Sequence, residues 1–260
     1  MASVPGLSGL PMLYQDLVPL SSQDHANWSV RQLTSLEFIS KIHAIPVTVD
    51  EFPVAQRFFP IVFSMGPEPV PLALMGLNEG VNVFVNADGS YRENTYLPAF
   101  IRRFPFLLAR LRPDSDEMSL CFDPTPGLIG EFEDGQRLFT DEGEPAQPVK
   151  DMLAFCEQFE IAAQRTSAFT KDLAETGLLE DGELTIQHQS SPTPFTYRGF
   201  GMVNEEKLRE LRGDQLRKMN QNGMLGLLYT HLFSLSLVSD VFARQMEQGK
   251  IPPQPVMPIA

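Results

Sequence analysis

The amino-acid sequence predicts an α+β fold, an antiparallel β-rich N-terminal half packed against a helical C-terminal half. Three observations carry that expectation. Short apolar runs separated by Pro-, Gly- and Asn-rich turns fill residues 44–122, as strands and hairpin turns do. Over residues 149–176, Met152, Leu153, Phe155, Phe159, Ala162, Ala163, Phe169 and Leu173 recur near helical spacing. Residues 224–244, MLGLLYTHLFSLSLVSDVFAR, are apolar around most of a helical circumference, which predicts a buried central helix. The expected organisation is one domain over residues 1–260, with a β-rich half at 12–122, a mainly helical half at 149–245 and loose tails at 1–11 and 249–260.

Taken in order, Leu13 to Leu20 reads as a first strand entered through Tyr14, followed by a turn capped by Ser21 or Ser22 that holds His25 and Trp28. Ser35 to His43 has mixed periodicity and leaves strand and helix both open. Ala44 to Val49 is β-branched and reads as a strand. Asp50 is the expected N-cap of a short helix, Glu51 to Phe59, with Pro53 in its first turn and Pro60 as its stop. Ile61 to Ser64, Leu72 to Leu77 and Val81 to Val85 then form an antiparallel meander, turned again at Asn86-Ala87-Asp88-Gly89. Tyr96 to Leu111 is a helix from about Pro98 that Pro105 kinks or ends; the alternative is a helix followed by a strand, Phe106 to Leu111. Ser119 to Phe122 is one more strand.

Asp123 to Pro148 is rich in Gly, Pro, Asp and Glu and reads as an exposed hairpin or ordered loop. Gly177 stops the long helix that follows. Glu183 to Gln187 and Pro194 to Val203 pair as a hairpin across His188 to Thr193. Asn204 caps Glu205 to Leu211, and Asp214 caps a further short helix ending near Gly223.

The totals restrict function before any motif does. A chain of 260 residues, 43% hydrophobic and 20% charged, has the composition of a soluble globular protein. Its 33 acidic and 20 basic side chains give a formal charge of −13, a field that opposes nucleic acid and anionic lipid, because each phosphate contact needs a cation. Cys121 and Cys156 lack metal-finger spacing and sit among apolar neighbours, as small buried hydrophobes in a reducing compartment do. MASVPGLSGLPMLYQDLVPL has no basic leader and is broken by Pro5 and Pro11, unlike a secretory signal. Apolar runs stay short of the ~20 residues that a membrane helix needs. The expectation is a cytoplasmic protein with no nucleic-acid partner and no membrane span.

Chemistry has few footholds. The four histidines, His25, His43, His188 and His231, show neither His-x-x-x-His nor His-Glu-x-x-His spacing. A dispersed iron or zinc site would draw on His25, His43 and His231 with Asp50 or Glu51; otherwise no cofactor is expected. The acidic run Glu131, Glu133, Asp134, Asp141, Glu142 and Glu144 lacks the calcium-loop pattern and reads as a solvated loop. Nucleophile elbows and phosphate-binding glycine loops are absent from the sequence. In YLPAFIRRFPF, Tyr96, Phe100, Arg102, Arg103 and Phe104 combine cations with aromatic faces. They form either a clamp for an acidic peptide or carboxylate or a structural arginine neutralised by the protein's own acid, and the second reading is favoured.

Several segments resemble the bacterial SapC family: LYQDLVPLSSQDH, HAIPVTVDEFPVAQRFFPIVF and YLPAFIRRFPF, then DEGEP, GLLE, FGMVNEEKLREL and GMLGLLYTHLFSL, in that order over residues 12–245. The family takes its name from a protein linked to surface-layer production. The resemblance implies a setting beside TonB-dependent receptors and halogenase-like flavoproteins in Gram-negative bacteria, and it brings no catalytic residue. Two readings follow: an accessory or binding protein that recognises a peptide or protein partner through residues 96–106, or a metal-dependent enzyme with a dispersed His/carboxylate site. A homodimer through the charge-poor segment 224–244 is also expected.

Overall fold

The structure, a computed structural model, describes residues 9–112, 114, 117–187 and 194–250. His188, the expected turn at 188–193 and most of both expected tails lie outside these residues. The N-terminal half contains β1 (Val18–Pro19), β2 (Ser29–Val30), β3 (Ala44–Pro46), α1 (Phe52–Ala55), β4 (Ile61–Phe63), β5 (Pro71–Leu74), α2 (Ala99–Arg102), β6 (Phe106–Arg110) and β7 (Met118–Phe122). It continues through β8 (Ile129–Gly130) and β9 (Gln136–Arg137) into α3 (Gln147–Thr176). Then come β10 (Leu179–Asp181), β11 (Leu184–Ile186), β12 (Phe195–Tyr197), β13 (Gly201–Val203), α4 (Glu205–Arg209), α5 (Gly213–Gln221), α6 (Met224–Ser234) and α7 (Val238–Glu247). The α+β class is therefore as expected, with antiparallel sheets early and helices late.

The largest sheet runs β10–β13–β4–β5–β3, with every pair antiparallel. It draws strands from both halves, and the join is at Gly201, which sits opposite Phe63. A Cβ at Gly201 would lie 2.6 Å from Leu179 Cδ2, so a larger residue there would make the Leu179 side chain move. A second sheet, β1–β7–β6, packs against α3, and the short sheet β8–β2–β9 flanks it. The main core joins Ile45, Phe52, Phe59, Ile61, Phe63 and Phe84 to Phe159 and Phe169 of α3, Leu228 of α6 and Val241 of α7. Gly177 ends α3 in the left-handed conformation, φ 68°. β11 and β12 pair as expected, but the end of the expected second arm, Gly201–Val203, is the separate strand β13 and pairs with β10 and β4. Asn204 caps α4 through its side chain, which accepts from the Lys207 N–H at 2.8 Å.

Several expectations are corrected. The cap of the 50s helix is Thr48, not Asp50: Glu51 stands three residues beyond Thr48 and closes a capping box on a 3-10 turn, Val49–Glu51, that leads into α1. Val81 to Val85 makes no strand, apart from a single Val85–Tyr91 bridge. The Asn82 side chain takes the Phe84 N–H at 2.8 Å, which removes a ladder donor. The meander is also reordered, because β3 and β4 both pair with β5. Tyr96 to Leu111 follows the alternative, the short helix α2 and then β6. In Ser35 to His43 the structure has a 3-10 turn, Glu37–Ile39. Residues 123–148 are more than a solvated loop, since Ile129, Leu138 and Phe139 are buried in the second core. Asp214 lies inside the first turn of α5, and Arg212 holds the N-cap position.

The apolar segment 224–244 departs most. It is broken at Leu235–Leu237 by a 3-10 turn, and its buried positions (Met224, Leu228, His231, Ser234, Val238, Val241, Phe242) follow one side, continued by Gln245 just beyond it. Apolar residues on the opposite side stay at the surface, with Phe233 67% exposed. By length and composition Met224–Glu247 passes for a membrane span, as core helices of soluble proteins also do, so it is weak ground for either reading.

Candidate functional site

The surface that best fits a binding role begins at a buried carboxylate. Glu51, 5% exposed, accepts from the Thr48 N–H and hydroxyl at 2.9 Å each. Its other oxygen accepts from the Tyr96 hydroxyl at 2.9 Å and the Ala99 N–H at 2.7 Å. The one carboxylate therefore caps the 48–51 turn, starts α2 and fixes Tyr96. Burial, with the Glu51 charge behind it, pushes the Tyr96 phenol up to about 12, against the pull of Arg102. The phenol stays protonated at neutral pH, so it donates to Glu51 and accepts from Arg102 Nη2 at 3.0 Å.

Arg102 completes the surface. Its guanidinium carbon lies 5.4 Å from the Tyr96 ring centre and 5.0 Å from that of Phe155 on α3. The side chain is exposed and, among the described residues, pairs with no carboxylate. Other arginines, Arg31, Arg137 and Arg165 among them, do form ion pairs. Arg102 is thus a cation held in place by two rings and a phenol, with its remaining N–H groups free for an incoming acid.

The other candidates of this segment do not join it. Phe100 is fully buried. Arg103, 2% exposed, lies 4.1 Å from the Phe159 ring centre, 4.8 Å from Phe100 and 5.8 Å from Tyr14, and reaches Glu160 at 3.5 Å. It is the structural arginine of the pair. Phe104 is buried against Tyr14 and stacks on the half-exposed Phe38 at 4.8 Å, where both line a groove of about 380 Å³ with Leu13, Gln15, Ile42 and Pro126.

Of the proposed metal ligands, His25, Asp50, Glu51 and His231 have partners of their own. His25 accepts from the Ser21 N–H at 3.1 Å through Nδ1 and packs edge-on against Trp28 and Phe122. Burial lowers the His43 pKa, partly offset by Glu79. Asp50 pairs with Arg165 at 2.8 Å, and Glu51 is saturated as described. His231 accepts from the Val203 N–H at 3.1 Å through Nε2, so Nδ1 carries the proton and bonds the Ile61 carbonyl at 2.6 Å. Desolvation lowers its pKa to about 4, against the bond to Ile61. Among the described residues no group of three or more His, Cys, Asp or Glu side chains is placed to hold a metal ion. Burial raises Cys121 to about 11 and Cys156 to about 12, which keeps both as thiols.

Two organising residues escaped the sequence reading. One is Glu51, read as a helix residue or metal ligand rather than as a hub; the T-x-x-E spacing of Thr48 and Glu51 is its signal. The other is Asp123, fully buried, which accepts from the Gln15 N–H at 2.6 Å and the Thr125 N–H at 2.8 Å and so ties the first residues to the end of β7. Asp before Pro-Thr-Pro is the turn signal that could have found it.

Comparison with curated proteins and with solved structures gave no match. The family model for SapC matches residues 20–241, most of the chain, and spans β2 to β13 with α1 to α6. This protein belongs to the SapC family.

Proposed function

We propose that this protein is an accessory or binding protein that recognises an acidic segment of a protein or peptide partner through Tyr96, Arg102 and Phe155. The observation that carries the reading is the Arg102 guanidinium, exposed and without an ion pair among the described residues, yet held by the Tyr96 hydroxyl and two aromatic faces. A mobile surface arginine gives up rotamer freedom on binding; one already fixed gives up less. The remaining donors match a carboxylate, and the flanking rings offer apolar contact to the rest of a peptide. The reading includes a cytoplasmic setting, and the family resemblance supports a surface-layer or TonB-receptor-associated pathway.

Fluorescence anisotropy with a labelled hexapeptide of alternating Glu and Phe tests the reading, with a Lys/Phe peptide as the comparison. The acidic peptide is expected to bind saturably and more weakly as salt rises. Arg102→Gln should weaken it by about tenfold or more, the loss of one charge-assisted hydrogen bond. Equal binding by the wild type and Arg102→Gln, or no binding of the acidic peptide, would remove this surface from consideration.

A further inference from the structure

A second pair of arginines stands apart from the Tyr96–Arg102 surface. Both are organised by Phe84, whose ring is fully buried. The Arg92 N–H donates to the Phe84 carbonyl at 2.8 Å, and the Val85–Tyr91 bridge holds the two sides of the intervening turn together. The turn itself is closed by bonds from Gly89 N–H to the Asn86 carbonyl and from Asn86 N–H to the Ser90 carbonyl. From the other side, Arg244 of α7 lays its guanidinium 4.9 Å from the Phe84 ring centre.

Arg244 is not free to wander. The end of α7 is fastened to the segment before Phe84, with Gln248 donating to the Val83 carbonyl at 3.1 Å and Lys250 to the Asn82 carbonyl at 2.9 Å. A cation in the last turn of α7 also suits the helix dipole.

Among the described residues, neither Arg92 nor Arg244 makes a side-chain hydrogen bond or an ion pair. Burial and the neighbouring Arg92 charge hold Arg244 below its usual range. Asp240 and Glu247, on the same helix, pull the other way without reaching ion-pair distance. In a chain with 33 acidic and 20 basic side chains, an ion pair is the easy outcome for an arginine. The Arg92 backbone bonds the Phe84 carbonyl and Arg244 covers the Phe84 ring. The Arg92 charge therefore acts on Arg244 with no ion pair to either among the described residues, a repulsion that an anion would relieve.

We infer that Arg92 and Arg244 form a binding site for a small oxyanion, a phosphate or carboxylate group, on the turn after Phe84. Two planar forks from different elements can each offer paired N–H donors to such a group. The Phe84 ring, covered by Arg244, backs the site and limits water on that side.

The test is thermal unfolding of the full chain in a zwitterionic buffer, at constant ionic strength made up with sodium chloride. Inorganic phosphate and succinate are titrated in separate arms. The expected result is a rise that follows the logarithm of ligand concentration above the dissociation constant, about 2–4 °C at tenfold over it. Arg92→Gln and Arg244→Met should each abolish this ligand-linked rise, while Arg217→Gln, an exposed arginine on α5, should retain it. Arg92 is exposed, so its variant carries the test if Arg244→Met folds poorly. A ligand-linked rise with phosphate alone assigns a phosphate ligand, and with succinate alone a carboxylate. No such rise in either arm, or an equal rise in Arg92→Gln, overturns the site.

Discussion

Arg102 and Arg103 are consecutive, and the end of α2 sends them to opposite environments. A helical step turns the chain by about 100°, enough to place Arg102 on the surface between Tyr96 and Phe155 and Arg103 in the interior. The interior cation is surrounded by Phe100, Phe159 and Tyr14 and reaches a carboxylate of α3 that is 29% exposed. The surface cation has the rings and a phenol but, among the described residues, no carboxylate. The difference teaches which arginine holds the fold and which is left for something outside it.

The comparison breaks if the two substitutions cost the same. Arg103→Ala should lower unfolding stability in urea by about 3–5 kcal/mol, since it leaves a hole among three rings. Arg103→Met keeps the apolar stem between Phe100 and Phe159, and Glu160 can turn to water, so its cost should be about 1 kcal/mol or less. Arg102→Ala should stay within about 0.5 kcal/mol. A large loss for Arg102→Ala would make it a structural residue and undercut the binding role.

His231 extends the contrast to a base that the interior keeps neutral. Its folded pKa, about 4, lies below the ordinary 6.5 because burial penalises the cation. The unfolded chain therefore binds a proton that the folded chain refuses. The contribution is fully present above pH 6.5 and is lost as pH falls toward 4, by about 3 kcal/mol in all. The substitution His231→Gln keeps one acceptor for the Val203 N–H and one donor for the Ile61 carbonyl, but the amide cannot titrate. The stability difference between this variant and the wild type, followed against pH, isolates the effect from carboxylates that titrate nearby. Parallel pH profiles for the two proteins would show that the charge is not what the interior resists.

Local signals were legible in the sequence wherever neighbours in the chain are also neighbours in space. The long helix α3 with its Gly177 stop, the strand Ile61–Phe63, the turn at Gly89 and the Asn204 cap all follow from spacing within a few residues. Long-range partners were not legible. Asn82 takes the Phe84 N–H and reaches the Ile39 carbonyl, 43 residues away, which removed an expected strand. Nothing in MLGLLYTHLFSL distinguishes the buried stripe from the exposed one, because both are apolar, and burial was decided by which face met β4 and β13. The motif YLPAFIRRFPF marked the right segment but not its division, since inside and outside depend on where Phe155 and Phe159 of α3 come to rest.

The finest comparison lies within the Arg102 surface itself, between the hydrogen bonds that hold Glu51 and the one that holds Arg102. Tyr96→Phe removes a single hydroxyl from both. Glu51 keeps three of its four donors, Thr48 N–H, Thr48 hydroxyl and Ala99 N–H, so the loss of stability should be about 1 kcal/mol rather than that of an orphaned carboxylate. Arg102 keeps the two aromatic faces but loses its only hydrogen-bond acceptor among the described residues. A double-mutant cycle of Tyr96→Phe and Arg102→Gln, read in acidic-peptide affinity, should then show a coupling of about 0.5 kcal/mol or more. Additive effects would mean that the buried carboxylate fixes Tyr96 for the fold alone, and that Arg102 finds its place without it.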